Sequence, residues 1–232
     1  MKAEWRDGCL RAEGAVALVG AGPVDGDALT ACLSRTGAAM AADGGAAVLM
    51  AAGRMPDAVV GDLDSLPRPH GIPAERVLRL HGQDDTDFEK CMDRIDAPLV
   101  LGCGFLGGRT DHALAAMGAL ARGRGRAGRR WAPAVLVSAQ DVVFAVPRRL
   151  RLDLPPGCTV SLFPMAPLVA RSEGLEWPLD GLALAPAGRV ATSNRATGPV
   201  EIECLSPGLL CLLPADRLDA AAAALAPGHM AR

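Results

Sequence analysis

The chain contains few aromatic residues and almost no lysine. It has no tyrosine, three tryptophans and four phenylalanines, and lysine occurs only at positions 2 and 90 among 24 basic residues. The formal net charge of −2 argues against a nucleic-acid-binding surface, because such surfaces normally carry a basic excess. An isolated lysine among arginines also suggests a position that requires a compact ammonium group, such as one beside a phosphate. Lys90 is therefore a candidate site residue.

Long apolar runs and paired cysteines are also missing. Charges, glycine or proline interrupt every stretch before it reaches the roughly 18 apolar residues of a membrane span. The first seven residues lack the apolar core of a signal peptide. The seven cysteines are odd in number and form no C-x-x-C pair. We therefore expect a reduced, cytoplasmic protein that has no structural zinc and no membrane partner.

The first half of the chain alternates between strand-like and helix-like segments. A length of 232 residues, half of them hydrophobic, allows one large domain or two small ones. The alternation predicts an α/β domain over residues 1–148, with a largely parallel, Rossmann-like sheet covered by helices. The predicted strands are 14–20, 37–42, 57–60, 76–80, 99–103, 134–138 and 142–146, and the predicted helices are 25–35, 46–52, 87–95 and 111–121, the last with Thr110 as N-cap.

The pattern changes after Pro147. Short apolar runs separated by proline and glycine replace the helical periodicity, which is typical of an all-β sandwich. We predict a second domain over residues 149–232 that ends in a short helix within 215–226. The arginine- and glycine-rich stretch 122–130 is interpreted as an exposed loop, although its charge would also suit phosphate.

Acidic residues cluster beside small-residue turns in the first half, where predicted strands stop. The clusters are Asp43-Gly44-Gly45, Gly61-Asp62-Leu63-Asp64-Ser65, Asp84-Asp85-Thr86-Asp87 and Gly107-Gly108-Arg109-Thr110-Asp111-His112. Hard cations such as Mg²⁺ take oxygen ligands, and glycine lets the backbone approach a phosphate. The pattern predicts a site for Mg²⁺ and polyphosphate.

Asp62 and Asp64 are two residues apart after an apolar run. In an extended segment, residues i and i+2 point to the same side, so both carboxylates can reach one metal ion. Two other interpretations remain open. The aspartates can simply cap a surface turn, or the D-x-D string can belong to a phosphatase of the haloacid dehalogenase type, which would use Asp62 as nucleophile. That class places D-x-D on its first strand, whereas here it follows about the third.

Two further strings lie at predicted helix starts. Thr86 can cap a helix on which Asp87 and Lys90, three residues apart, share a face; the alternative is an ordinary capped helix with a surface ion pair. In the second string, Gly107 and Gly108 would admit phosphate, Arg109 would hold an oxygen atom, and Asp111 would bind metal or water. His112 is interpreted as a structural hydrogen-bonding residue.

The second half contains Trp177, within Gly-Leu-Glu-Trp-Pro-Leu, and the pair Ser193-Asn194. A tryptophan in a sandwich domain usually belongs to the core. The neighbouring proline and the loop-like string favour the alternative, in which the flat indole face binds a cationic thiazolium or an aminopyrimidine ring.

Taken together and in order, these strings resemble the thiamine pyrophosphokinase family. The family's strings D-G-G-A, G-D-x-D-S, Q-D-x-T-D-x-x-K, G-G-R-x-D-H, S-L-F-P, G-L-x-W-x-L and S-N are matched here between residues 43 and 194. They include Gln83 and residues 161–164, and the resemblance runs from about residue 41 to about 213. One departure is Ala47, where the family usually has asparagine, which affects one polar contact near the first acidic loop.

The resemblance implies transfer of the pyrophosphoryl group of ATP to the hydroxyl of thiamine, giving thiamine diphosphate and AMP. It implies a homodimer whose sites are shared between subunits, with Mg²⁺ held by Asp62, Asp64 and Asp87. Further positive charge would come from Lys90 and Arg109. Asp111 would be catalytic. The residues expected to contact ATP are Asp43, Gly44, Gly45, Gln83, Thr86, Gly107, Gly108 and Arg109. The residues expected to contact thiamine are Gln83, Trp177, Ser193 and Asn194.

There are three alternative functions. The chain can be a pyrophosphokinase for another alcohol, such as a pterin; it can be a Mg²⁺-dependent phosphatase; or it can be a non-catalytic nucleotide-binding module.

Overall fold

The computed structural model describes residues 2–63, 71–82, 84–125 and 127–229. Its strands are β1 (Ala3–Arg6), β2 (Cys9–Ala12), β3 (Val16–Val19), β4 (Ala38–Ala42), β5 (Ala58–Gly61), β6 (Val77–Arg79), β7 (Ile95–Asp96), β8 (Val100–Cys103), β9 (Ala134–Val137), β10 (Asp141–Ala145), β11 (Arg149–Leu152), β12 (Thr159–Pro164), β13 (Leu168–Leu175), β14 (Ala183–Leu184), β15 (Ala191–Cys204) and β16 (Leu209–Pro214). Its α-helices are α1 (Gly26–Ser34), α2 (Gly45–Ala51), α3 (Asp87–Met92), α4 (Thr110–Arg122) and α5 (Leu218–Leu225).

The first half forms parallel strands in the order β6-β5-β4-β3-β8-β9. Every residue of β3, β4, β5, β8 and β9 is buried. Such continuous burial is typical of parallel strands, which are covered on both faces. Parallel pairing also aligns the carboxyl ends of these strands at one edge of the sheet, where the acidic turns follow.

The second half is antiparallel and continues the same sheet. β9 pairs with β10, β10 with β16, β16 with β12, and β12 with β15. The long β15 pairs with β12 through its first residues, and with β11 and β13 through its later ones. A change to all-β structure after residue 147 was predicted, but the hydrogen-bonded ladder does not stop there. Strand β16 returns to β10 and joins the two halves into one mixed sheet.

A small sheet at the N-terminus was not predicted. β1 and β2 form a hairpin, and β7 adds to β2 in parallel. The turn is Asp7-Gly8, with φ of 52° and 69°, and an Asp-Gly pair with two positive φ angles is a strong hairpin signal. The hairpin was not predicted from this turn because β1 is mostly exposed and lacks the apolar face that marks a strand in the sequence. β7 also shows that the helix predicted over 87–95 was too long, since α3 ends at Met92.

Two details of the helices correct or extend the prediction. The predicted N-cap Thr110 is wrong: α4 begins at Thr110 itself, and Arg109 holds the cap position without a side-chain cap hydrogen bond. α5, predicted within 215–226, packs on the sheet with Leu218, Ala221 and Ala222 buried. Within the described residues, no helix has the length and apolar character that crossing a membrane requires.

Candidate functional site

A cavity of about 990 Å³ lies where the parallel strands end. Asp43 follows β4, Asp62 follows β5, and the glycine-rich turn after β8 forms another wall. The start of α3 closes the cavity with Thr86, Asp87 and Lys90. Further lining residues include Gly20, Gly22, Asp84, Asp85, Glu89, Phe105, Gly107, Gly108, Arg109, His112 and Arg122. The structure thus brings together five segments that are spread over the first 122 residues of the chain.

The backbone is held in an unusual conformation at two of these acidic turns. Asp43 has φ of 45° and Leu63, directly after Asp62, has φ of 63°. Positive φ is uncommon for residues other than glycine and is costly for leucine. Strained residues of this kind cluster at functional sites. The turns are also tight: a Cβ atom on Gly45 would lie 1.9 Å from the carbonyl oxygen of Val19, so no other residue fits there.

The start of α3 presents Asp87 and Lys90 from a fixed position. Thr86 is the N-cap, its side chain accepts from the backbone of Glu89, and the Glu89 carboxylate accepts from the backbone of Thr86 at 2.9 Å. This reciprocal capping box satisfies two helix-end donors. Lys90 Nζ lies 3.1 Å from Asp87 Oδ1, and Lys90 is only 9% exposed. The predicted Asp87–Lys90 pair is therefore a half-buried ion pair at the wall of the cavity.

Glu89 and Arg122 were not predicted as site residues. The Glu89 side chain is buried, and Arg122 at the end of α4 pairs with it. Burial by itself would raise the pKa of Glu89, but the hydrogen bonds from Thr86 and Arg122 outweigh it and hold that pKa below its ordinary value. The T-x-x-E string of Thr86 and Glu89 is the sequence pattern of a capping box, so this contact of Glu89 could have been predicted. No local signal pointed to Arg122, which lies 33 residues further along the chain.

The turn after β8 opens with glycines in left-handed conformations. Gly107 and Gly108 have φ of 81° and 67°, and Gly108 packs against Pro23, where a Cβ would approach to 2.6 Å. Arg109 makes an exposed ion pair with Asp111 at 2.7 Å, and that hydrogen bond lowers the pKa of Asp111 to about 2. Arg109 and His112 line the cavity, so His112 is closer to the site than its predicted structural role implied.

The candidate thiamine residues lie together in the antiparallel half. Buried Asn194 accepts from the backbone N–H of Trp177 at 3.2 Å and donates to the carbonyl of Trp177 at 2.7 Å. Ser193 has φ of 58°, and its N–H donates to the hydroxyl of Ser161. The indole itself is 53% exposed, with Arg195 at 5.9 Å from its centre. Trp177 is thus not a core residue, and neither it nor residues 193 and 194 line the acidic cavity.

The cavity suits a hard cation in its donor chemistry. Asp43, Asp62 and Asp87 line it, and among the described lining residues there is no cysteine. Among the described residues, no three acidic, histidine or cysteine side chains are grouped closely enough to hold a metal by themselves. Mg²⁺ normally uses one or two carboxylates together with substrate phosphates and water, so the residues fit that ion. Two predicted residues, Asp64 and Gln83, lie outside the described residues.

Carboxylates, glycine turns and fixed cations at the carboxyl ends of parallel strands are characteristic of α/β proteins that bind phosphate groups. Comparison with known families narrows this class. The model "Thiamin pyrophosphokinase, catalytic domain" matches residues 29–127, and "Thiamin pyrophosphokinase, vitamin B1 binding domain" matches residues 145–209. The chain belongs to the thiamin pyrophosphokinase family.

Individual relatives agree with this assignment. Thiamin pyrophosphokinase 1 of Caenorhabditis elegans is 26% identical over an alignment of 157 residues, and the match covers 61% of this chain and 63% of that protein's length. The fold resembles the crystal structure of yeast thiamin pyrophosphokinase, with a TM-score of 0.71 at 18% identity over 89% of this chain and 88% of that one. It also resembles thiamine pyrophosphokinase from Bacillus subtilis, with a TM-score of 0.68 at 20% identity over 86% and 98%.

Proposed function

We propose that this protein is a thiamine diphosphokinase that transfers the pyrophosphoryl group of ATP to the hydroxyl of thiamine. The observation that carries the proposal is the meeting of Asp62, Asp87 and Lys90 at one cavity, in a chain that also contains the family's vitamin B1 binding domain. The family match disfavours a pterin pyrophosphokinase, a phosphatase and a non-catalytic module.

In the proposed reaction, the thiamine hydroxyl attacks the β-phosphorus of ATP. A new bond forms between that oxygen and the β-phosphorus, the bond from the β-phosphorus to the α,β-bridging oxygen breaks, and AMP departs with the bridging oxygen. The hydroxyl proton is lost to a base. Lys90 and Arg109 provide fixed positive charge for the phosphate oxygens, and such preorganised charge is a large source of catalysis in phosphoryl transfer. Asp111 is proposed to act through Arg109, which it orients by their ion pair.

Asp62, Asp64 and Asp87 are proposed to hold Mg²⁺ together with the polyphosphate. When bound, this ion would neutralise charge that develops on the bridging and terminal oxygens. Backbone N–H groups of two glycine turns are proposed to bind phosphate oxygens. One turn contains Asp43, Gly44 and Gly45, and the other contains Gly107 and Gly108. Thr86 and Gln83 complete the proposed contacts to the nucleotide.

The proposed thiamine site comprises the exposed face of Trp177 with Ser193 and Asn194. These residues lie outside the acidic cavity of their own chain, which favours a homodimer in which each site uses both subunits. We assign residues 1–148 to a Rossmann-like catalytic domain and residues 149–232 to a β-sandwich domain. The seven free cysteines suit a cytoplasmic location.

A product assay tests this function directly. Purified protein is incubated with MgATP and thiamine, and the mixture is resolved by chromatography. We expect thiamine diphosphate and AMP in equal amounts, and none without magnesium. Formation of ADP and thiamine monophosphate would instead indicate transfer of a single phosphoryl group to thiamine. Release of inorganic phosphate in the absence of thiamine would indicate a phosphatase, and either result would overturn the proposal.

A further inference from the structure

A second cleft, with a volume of about 750 Å³, shares Arg122 with the acidic cavity but is otherwise lined by different residues. It is bounded by the end of α4, the segment that follows α4, the connection from β10 to β11, and the turn between β15 and β16. Five arginines line it, namely Arg122, Arg124, Arg130, Arg148 and Arg149. Among the described residues, no acidic side chain lines it. In a chain of net charge −2, this is a local concentration of positive charge.

Two of the five arginines are already paired. Arg122 binds Glu89, and Arg149 lies 3.4 Å from a carboxylate oxygen of Glu203. The side chains of Arg124, Arg130 and Arg148 make no hydrogen bond or ion pair within the described part of the chain. Each is exposed at the cleft. Three guanidinium groups, with up to five N–H donors each, are thus available to one ligand.

The backbone holds these arginines in place. The N–H of Trp131 donates to the carbonyl of Gly123 at 3.1 Å, and Arg124 and Arg130 form an antiparallel bridge. Like charges directly opposite each other in such a bridge are destabilising, and an anion between them would remove that cost. On the other wall, the carbonyl of Arg148 accepts from the N–H of Cys204 at 3.0 Å.

The cleft also has an apolar side. Leu205, in the turn between β15 and β16, lines the cleft and is 69% exposed. Trp131 is fixed by a hydrogen bond from its indole to Asp93 at 2.6 Å and by edge contact with Phe88. Small-molecule sites typically have volumes of about 300–1,000 Å³ and combine apolar walls with a few placed polar groups. The size and lining therefore fit a small organic anion.

We propose that this cleft binds a small organic phosphate or a similar anion through Arg124, Arg130 and Arg148, with its apolar part against Leu205. The site is separate from the proposed pyrophosphokinase reaction, because none of these four residues lines the acidic cavity.

Calorimetric titration with phenyl phosphate, and with inorganic phosphate in a parallel arm, tests the proposal. Arg130→Gln/Arg148→Gln should weaken phenyl phosphate binding about 10-fold or more, because charge-assisted bonds to the anion are lost. Arg11→Gln/Arg189→Gln removes two exposed arginines that line neither cavity and should leave the dissociation constant within about twofold. Leu205→Ser should weaken phenyl phosphate more than inorganic phosphate.

The replaced residues are exposed, so the variants should fold, which circular dichroism would verify. The absence of measurable phenyl phosphate binding to the wild type would overturn the proposal. Equal losses in both double variants would also overturn it, because they would show that only the total charge matters.

Discussion

At the scale of single residues, the position of Lys90 explains why lysine rather than arginine occurs there. Its ammonium group lies 3.1 Å from Asp87 within a nearly buried environment. A guanidinium group is broader and planar, and it cannot replace a compact charge at such a site without displacing its neighbours.

We predict that Lys90→Arg lowers kcat of the proposed reaction by about 10-fold or more, because the larger group misplaces the charge that contacts phosphate. Lys2→Arg is the matched control, since it changes the only other lysine, which is exposed. Steady-state kinetics with thiamine and MgATP would measure both. Near-normal turnover of Lys90→Arg would mean that Lys90 is only the ion-pair partner of Asp87.

Asp62 is predicted to act through its charge. Asp62→Asn should reduce turnover about 100-fold while the fold persists, because an amide is a poor ligand for a hard cation. Asp96→Asn, at an exposed position of β7, is the control for loss of a carboxylate. Raising the magnesium concentration should partly restore activity of the Asp62 variant if a weakened ion site is the cause. Unchanged activity would contradict the metal assignment.

At the scale of elements, helix α3 depends on its capping box. The six-residue helix is too short to be stable from its own hydrogen bonds. Burial of Phe88, Cys91 and Met92 packs it on the core, and the Thr86–Glu89 box and the ion pair with Arg122 further fix its first turn. Arg122 thereby links the end of α4 to the start of α3, two elements that both contribute residues to the lining of the cavity.

Thr86→Ala should lower the free energy of unfolding by about 1 kcal/mol, the usual cost of losing an N-cap side chain. It should also lower kcat, because the helix start that presents Asp87 becomes less well ordered. Thermal unfolding and steady-state kinetics would measure the two effects. A loss of stability with unchanged kinetics would show that the capping box has only a structural role.

Glu89→Gln gives a prediction for pH dependence. The pKa of Glu89 in the folded protein lies below its ordinary value of 4.5, so its ionised form stabilises the fold above that pH. This stabilisation is lost as pH falls through the lower, folded-state pKa. The difference in unfolding free energy between wild type and Glu89→Gln should therefore shrink as pH falls below 4.5. Glu201→Gln removes an exposed ion pair with Arg151 and should show a much smaller difference at every pH.

At the scale of the whole molecule, the proposed catalytic and thiamine residues lie beside different parts of one mixed sheet. Trp177 and Asn194 form a fixed unit, held by two hydrogen bonds, but the acidic cavity does not include them. In the proposed two-fold dimer, each unit would lie at the cavity of the other subunit, and the isologous interface would repeat that contact twice.

Mixed dimers test this arrangement. Asp87→Asn and Trp177→Ala subunits, each nearly inactive, are combined after reversible dissociation. If sites are shared, each heterodimer contains one intact site, and random pairing should restore roughly a quarter of wild-type activity. Trp177→Ala alone should raise the KM for thiamine far more than that for ATP. Activity no higher than the mean of the two parents would show that each site lies within one chain.

The sequence by itself determined the alternation of strands and helices in the first half and the acidic turns at strand ends, whereas antiparallel pairing already begins at β10, before the predicted boundary at residue 148. These features depend on local patterns: apolar runs, glycine turns and the T-x-x-E cap are all readable over a few residues. The N-terminal hairpin was readable in the same way from Asp7-Gly8, but its mostly exposed first strand lacked the apolar alternation that would have supported it.

Only the tertiary structure decided which distant residues meet. Arg122 reaches Glu89, β16 returns to β10 and so joins the two halves into one sheet, and five arginines from three segments face one cleft. These contacts depend on how elements far apart in the chain pack together. Local sequence carries no signal for them, because the energy of a contact between distant residues appears only once the sheet and helices have brought the partners together.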